Sequence, residues 1–126
     1  MSDPIVFISH SKVKEGELGA FRELSEEMCS VMEVEKPGTV LHYGYLNEEA
    51  TVIHFVHVFP DADAMDAHMI GAAERVGKAD ELIDTFDFEV YGAPNEETLA
   101  VLRQAPGVDV ALRPIGFGGY IRLGEM

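Results

Sequence analysis

The chain has 126 residues, the usual length of one domain, and its hydrophobic content of 47% is that of a folded protein. Asp and Glu number 23 against 9 Lys and Arg, and the resulting net charge of -14 disfavours nucleic acid and anionic membrane surfaces as partners. The sequence has no apolar run near the ~20 residues of a membrane span, its first residues do not resemble a secretory signal, and the single cysteine, Cys29, excludes an intrachain disulfide. We therefore expect a cytoplasmic protein.

The first half of the chain predicts a strand, a helix and a hairpin. Residues 5–8 are β-branched and aromatic, which is typical of a strand, here one that ends near His10. Between residues 18 and 32, apolar side chains recur three and four positions apart and indicate a helix, which ends at Pro37. Residues 39–46 and 51–59 predict two strands, and the short polar connection between them is typical of a β-hairpin.

The second half of the chain predicts a second helix over residues 61–79, with Gly71 and Gly77 as its weak points or breaks. Three further elements follow along the chain: a strand at residues 85–91, a short helix capped by Asn95, and a fifth strand at residues 108–112.

Residues 1–91 therefore show the order strand, helix, strand, strand, helix, strand. This order predicts an α+β, ferredoxin-like split β-α-β domain, in which both helices cover one face of an antiparallel sheet. We expect residues 92–126 to form a C-terminal extension with a helix and a strand, packed on the same domain or on a partner subunit.

The second hairpin strand is apolar on both faces of the predicted sheet. Valines at positions 52, 56 and 58 face one side, and Ile53, Phe55 and Phe59 face the other. A sheet that meets water on its helix-free face normally shows polar residues there. We therefore predict a homodimer in which two sheets pack face to face around a closed interior. The alternative is that the C-terminal extension covers this face within one chain.

Three stretches resemble the antibiotic biosynthesis monooxygenase-like proteins: residues 39–45 with the hairpin that follows, the segment VHVFPDADAMDAHM, and the segment FEVYGAPNEETLAVL. The resemblance covers about residues 4–103. It implies a dimeric α/β barrel, with a ligand pocket between sheet and helices. It also implies oxidation of aromatic or quinol-type substrates with O2 and no bound cofactor, or degradation of haem.

The haem-degrading members use an Asn, a Trp and a His at the pocket. This chain has no Trp, and its only asparagines are Asn47 in the hairpin turn and Asn95 at a helix start. The resemblance therefore carries no haem-degrading residue to this chain.

The hairpin supplies most of the candidate functional residues. If it turns symmetrically about residues 48 and 49, Tyr43 lies opposite His54 and Tyr45 opposite Val52. Tyr43, Tyr45 and His54 then share one face, and a one-residue slip would rearrange the pairing. The other face carries His42, Phe55 and His57.

We expect His54 to accept a proton from the substrate, because histidine alone changes charge near neutral pH without a perturbed environment. We expect Tyr43 to orient the substrate through its hydroxyl and His68 on the second helix to be a further catalytic contact. His68 also matches the His of an Ala-His-Leu/Met pattern common in the resembling family. The expected substrate contacts are Tyr45, Phe55 and His42. The alternative is that these are sheet and helix residues whose polar tips reach backbone or solvent.

We expect no metal site and no bound cofactor. His54 and His57 are three apart on a strand and point to opposite faces, and no helix carries a His-x3-His pair beside a carboxylate. The glycines at residues 116–119 lack the Gly-Lys-Ser/Thr ending of a phosphate loop, and Cys29 has no histidine placed to activate it within its helix.

Two functional hypotheses follow. In the first, the protein is a cofactor-independent monooxygenase or related oxidoreductase that acts on a small apolar, aromatic or quinol-type molecule in the barrel interior. In the second, it is a non-catalytic dimer of the same fold that binds a small apolar ligand and needs no proton acceptor.

Overall fold

The computed structural model describes residues 3–123 and contains five strands and four helices within that range. In chain order these are β1 (Ile5–Val13), α1 (Leu18–Glu35), β2 (Leu41–Leu46), β3 (Val52–Phe59), α2 (Ala62–Met69), α3 (Ala72–Ala79), β4 (Ile83–Tyr91), α4 (Glu96–Arg103) and β5 (Asp109–Arg113). Met1 and Ser2, at the start of the segment compared above with a secretory signal, lie outside the described residues. None of the described helices is long and apolar enough to span a membrane.

The five strands form one sheet in the order β2-β3-β1-β4-β5. The neighbours among the first four strands pair antiparallel, whereas β5 pairs parallel with β4 at the edge of the sheet. The order of the first four strands confirms the predicted ferredoxin-like α+β fold. The sheet is open, with β2 and β5 at its two edges.

The helices pack on one face of this sheet and form the core there. Phe21 of α1 packs with Ile53 of β3 and Ala79 of α3. A second buried cluster joins α2 and α4 to the centre of the sheet and contains Ile5, Phe7, Phe59, Met65, Val90 and Leu102. Because side chains alternate along a strand, the neighbours of these sheet residues point to the opposite side.

That opposite side is called the open face here, and it carries side chains from β1, β2 and β3. They are Val6, Ile8, His10, Leu41, Tyr43, Tyr45, Val52, His54, Val56 and Val58. Tyr43 and Tyr45 are 58% and 54% exposed. The helix of the C-terminal extension does not cover this face, because Leu102 of α4 is buried in the helix-side core. We considered above that the C-terminal extension covers the open face within one chain; α4 does not provide that cover.

Two local features agree with the sequence prediction only in part. The second predicted helix breaks at Gly71, one of its two predicted breaks, where the chain turns with a φ of 85° that favours glycine. Gly77, the other predicted break, lies inside α3 and does not interrupt it. Asn95 precedes α4 as predicted, but its side chain makes no capping hydrogen bond and instead donates to the carboxylate of Asp66 over 2.6 Å.

Candidate functional site

The hairpin register decides which predicted site residues meet. Tyr45 lies opposite His54, and Tyr43 lies opposite Val56, so the predicted pairing is wrong by two residues. The reason is the turn: the Asn47 side chain accepts hydrogen bonds from the backbone N–H groups of Thr51 and Val52, which closes a longer loop than a symmetrical turn at residues 48 and 49. A shift of two keeps every side chain on its predicted face, because the pleat has a period of two.

The six predicted site residues consequently divide between the two faces of the sheet. His54, Tyr43 and Tyr45 lie on the open face, where the two tyrosine rings are 5.3 Å apart. The other three lie on the helix side and are His42, Phe55 and His68. Two separate groups of residues therefore need a functional account.

On the open face, a chain of hydrogen bonds runs across three strands. Nδ1 of His54 and Nδ1 of His10 are 2.6 Å apart, so one of these nitrogens donates to the other. Nε2 of His10 donates to Oε1 of Glu89 over 2.5 Å, and the Tyr91 hydroxyl donates to Oε2 of the same carboxylate over 2.7 Å. We call Tyr91, Glu89, His10 and His54 the relay.

The protonation states of the relay residues favour His54, at one end of the relay, as a base. The hydrogen bonds from Tyr91 and then His10 lower the pKa of Glu89, so this carboxylate is ionised at neutral pH. Burial, and then the proximity of His10, lowers the pKa of His54 below 6.5, so this imidazole is neutral at pH 7. The hydrogen bond to Glu89 raises the pKa of the Tyr91 hydroxyl, which stays protonated and keeps donating.

The hydrogen-bond pattern fixes what the relay can do. When His10 carries one proton, at Nε2, its Nδ1 accepts from Nδ1–H of His54, and Nε2 of His54 is an unprotonated base. A proton taken up at that Nε2 moves the Nδ1 proton to His10, whose imidazolium then faces the Glu89 carboxylate. His54 is thus a base that His10 orients, and the half-buried Glu89 carboxylate stabilises the positive charge that forms on His10.

On the helix side, three histidines from different elements form a second group, called the histidine cluster here. His42 and His57 lie opposite each other on β2 and β3, and His68 of α2 lies over both, with ring centroids 5.6 and 5.3 Å away. Nδ1 of His57 donates to the backbone oxygen of Phe7 over 2.9 Å, and Nδ1 of His68 is 2.8 Å from the Thr39 hydroxyl. Nδ1 of His42 is buried and has no hydrogen-bond partner among the described residues.

The histidine cluster is neutral at physiological pH. Burial lowers the pKa of His57 to about 3, and burial together with His42 and the nearby cations Arg75 and Lys36 lowers that of His68 to about 3. Burial, followed by Arg75, also lowers the pKa of His42. Each ring therefore keeps one nitrogen lone pair free of a proton.

A groove between α1 and β2 gives access to the histidine cluster. It contains two cavities of about 320 and 350 Å³, and His42 and Cys29 line both. Phe21, Ile53 and Phe55 contribute apolar wall to the larger cavity, and Lys36 and His68 line the smaller one. Gly44 makes room for the Phe55 ring, since a Cβ at that position would lie 2.8 Å from Cε1 of Phe55.

Three residues of these groups were not among the predicted site residues: His10, His57 and Glu89. His10 is an even number of residues from Val6 and Ile8, and this spacing alone places it on the open face. Its neighbours on that face depend on the register of β1 with both β3 and β4. His54 and His57 do lie on opposite faces of β3 and cannot share an ion, but His57 meets His42 of β2 and His68 of α2.

No protein-family model matches the chain, and no curated protein sequence matches it significantly. Solved structures do match. MupZ from Pseudomonas fluorescens is 20% identical over 96% of this chain and 96% of its own, with a TM-score of 0.76. SnoaB, a cofactor-independent oxygenase from Streptomyces nogalater, is 16% identical over 75% of this chain and 96% of its own, with a TM-score of 0.61.

A structure from Bacteroides thetaiotaomicron, provisionally described as an antibiotic biosynthesis monooxygenase, is 14% identical over 64% of this chain and 80% of its own, with a TM-score of 0.57. These likenesses confirm at the level of the fold the resemblance seen in the sequence. At such low identity they show the fold alone, and fold does not fix activity.

Proposed function

We propose that this chain, which has the fold of the antibiotic biosynthesis monooxygenase-like proteins, is a cytoplasmic, cofactor-independent oxygenase. Its substrate is a small apolar molecule of the aromatic or quinol type, bound on the open face of the sheet beside His54. The observation that carries the proposal is the relay, in which two short contacts link His54 through His10 to Glu89. The fold neighbour described as a cofactor-independent oxygenase supports the reaction class.

In the proposed reaction, Nε2 of His54 removes a proton from an acidic C–H or O–H group of the substrate. General bases of this kind contribute typically 10²–10⁴-fold to a rate. The relay stabilises the protonated His54 by passing its Nδ1 proton to His10, opposite the ionised Glu89. Tyr45 is the cross-strand partner of His54, and in this reaction it donates a hydrogen bond from its hydroxyl to the substrate oxyanion, with Tyr43 beside it.

The oxidation itself needs only the ionised substrate and O2. The carbanion or phenolate of an anthrone-type substrate gives its electron pair to O2 and forms a C–O bond, and the proton taken up by His54 returns to the resulting peroxide anion and gives a hydroperoxide. Loss of water then gives a carbonyl group, so that a CH2 group and one O2 become C=O and one H2O. The proposal therefore requires one O2 consumed for each substrate molecule.

The proposal includes a second copy of the chain over the open face. This face carries valines, an isoleucine and two tyrosines, and burying a large apolar side chain contributes about 1.5–3 kcal/mol. A second sheet packed here buries these side chains and excludes water from the relay, which strengthens its electrostatic interactions. Closed two-fold pairing lets the same surface serve both copies.

The test is oxygen uptake by the purified protein with anthrone-type and reduced quinol substrates. We expect His54→Ala to lower the rate by about 100-fold or more, and Glu89→Gln to lower it by a smaller factor. Tyr45→Phe is expected to raise KM more than it lowers kcat. Glu74→Gln is the matched control, since Glu74 is an exposed residue of α3 remote from the relay. Absence of uptake, or equal rates in the parent and His54→Ala, contradicts the proposal.

A second candidate function is binding of a small apolar ligand without turnover. The specific observation in its favour is the groove, whose larger cavity has a mainly apolar wall and lies on the helix side, away from the relay. Mass spectrometry of molecules that copurify with the protein separates the two functions. A copurified apolar molecule whose retention depends on Phe55 but not on His54, together with no oxygen uptake, favours the binding function.

A further inference from the structure

We infer that His42, His57 and His68 bind one divalent transition-metal ion on the helix side of the sheet. Each histidine offers one ring nitrogen, and these three nitrogens all lie within 4.8 Å of one another. A tetrahedral zinc ion with Zn–N bonds of about 2.0–2.1 Å holds its ligand nitrogens about 3.4 Å apart, so each nitrogen moves by at most about 0.8 Å to bind it. The inference does not depend on the proposed oxygenase reaction, which uses the other face.

Two of the three rings, His57 and His68, have the hydrogen-bond partners that are typical of histidine metal ligands. A ligating histidine usually donates its other ring N–H to a carbonyl or similar acceptor, which fixes the tautomer and the ring orientation. Nδ1 of His57 donates in this way to the Phe7 carbonyl and leaves Nε2 free. Nδ1 of His68 meets the Thr39 hydroxyl, and Nδ1 of His42 is a buried polar atom with no partner among the described residues.

The three ligands come from rigid elements that the fold brings together. His42 and His57 are a cross-strand pair near the start of β2 in the β2–β3 ladder, and His68 lies near the end of α2. His57 and His68 are 6% and 4% exposed, so neither ring rearranges freely in solvent. Ligands on strands and helices hold their geometry better than ligands on loops.

The three histidine ligands and the cavity beside them indicate which metal ions the site binds and what its open coordination position accepts. Three imidazole nitrogens suit Zn²⁺, Cu²⁺, Ni²⁺ and Co²⁺ and do not suit Mg²⁺ or Ca²⁺, which prefer oxygen ligands. His42 and His68 line the smaller cavity of the groove, so the fourth coordination position is open to water or to a ligand in the groove. Lys36 also lines that cavity, and its charge favours an anion, such as hydroxide or a carboxylate, at the open position.

A second group on the open face, formed by His10, Asp87 and Glu89, also places its ligand atoms within 4.8 Å. In that group Nε2 of His10 already donates to the Glu89 carboxylate over 2.5 Å, so a metal would have to displace this hydrogen bond. The histidine cluster has no such competing contact between its members. The experiment must nevertheless separate the two faces.

The test is Co²⁺ and Zn²⁺ titration of full-length, tag-free protein after treatment with a chelator. We expect one equivalent of Co²⁺ to give the visible absorption bands of a tetrahedral complex and Zn²⁺ to displace them. His42→Ala and His68→Ala are each expected to weaken Zn²⁺ binding by more than about 100-fold, and Thr39→Val by about 10-fold. Circular dichroism checks that each variant is folded.

Two variants serve as controls for location and ligand type. His10→Ala alters the open-face group, and Cys29→Ser removes the one thiol that lines the groove; both are expected to bind Zn²⁺ as the parent does. The inference is overturned if the parent protein gives no Co²⁺ bands and no saturable Zn²⁺ binding. It is also overturned if binding persists in both His42→Ala and His68→Ala, or is lost in His10→Ala.

Discussion

His10 and His54 face each other across the neighbouring antiparallel strands β1 and β3, with their Nδ1 atoms 2.6 Å apart. Two imidazoles in such contact share one proton, and the Glu89 carboxylate on the far side of His10 decides which way that proton is drawn. Through His10, the Glu89 carboxylate on β4 therefore influences the protonation of His54, which lies two strands away on β3.

The first prediction concerns the electrostatic link between Glu89 and His54. Burial and His10 lower the pKa of His54, and the negative charge of Glu89 opposes them. We expect Glu89→Gln to lower the pKa of His54 further, because the neutral amide no longer favours the imidazolium. An NMR titration of the His54 ring measures this shift. Glu74→Gln is the control, and an unchanged or raised His54 pKa in Glu89→Gln contradicts the link.

The second prediction concerns stability in mild acid. His57 and His68 have a pKa of about 3 in the folded chain, against 6.5 for a free histidine, so the unfolded chain binds more protons between these values. Their contribution to stability is full above pH 6.5 and falls as the pH drops towards 3, by up to about 1.4 kcal/mol per pH unit for each histidine.

Urea denaturation at pH 7.5, 6.0 and 5.0, with a chelator present, measures this slope above the range in which carboxylates titrate. His68→Gln removes one titrating group and is expected to flatten the dependence. A free energy of unfolding that is constant from pH 7.5 to 5.0 rules out the buried, neutral state of the two histidines.

The third prediction concerns the close packing of Gly44. A Cβ at this position would lie 2.8 Å from the Phe55 ring, so we expect Gly44→Ala to displace the ring and to destabilise the fold by about 1–3 kcal/mol. Gly77→Ala is the matched control. Gly77 lies inside α3 with no atom near its virtual Cβ, and alanine there is expected to stabilise by up to about 1 kcal/mol. Thermal unfolding of both variants decides whether steric contact causes the difference.

The order of elements could be predicted from the sequence because each element carries a local signal. The alternation of apolar residues in β3 also placed His54 and His57 on opposite faces, as the structure has them. The pairing of Tyr43 could not be predicted, since it depends on how the Asn47 side chain closes the turn.

The relay and the histidine cluster could not be predicted for a related reason. His10 and Glu89 are 79 positions apart and meet only through the pairing of β1 with β4, which shifts register after His10. His68 meets His42 and His57 only through the packing of α2 on the sheet. Local periodicity assigns a residue to a face, whereas its partners depend on contacts distant in sequence.

The fourth prediction concerns the surface proposed to pair with a second copy. Val56 lies on the open face, opposite Ile8 and Tyr43. A charge at this position is costly to bury, so we expect Val56→Lys to dissociate the dimer and to reduce oxygen uptake with it. Val34→Lys is the matched control, because Val34 is 79% exposed on α1. Size-exclusion chromatography that shows the same elution volume for both variants argues against pairing through this face.

The account depends most on the open face being covered, because the relay needs an interior from which water is excluded. Sedimentation velocity of the unmodified protein at micromolar concentration tests this directly. We predict a single species of twice the 13.8 kDa chain mass. A lone 13.8 kDa species would contradict the enclosed site on the open face.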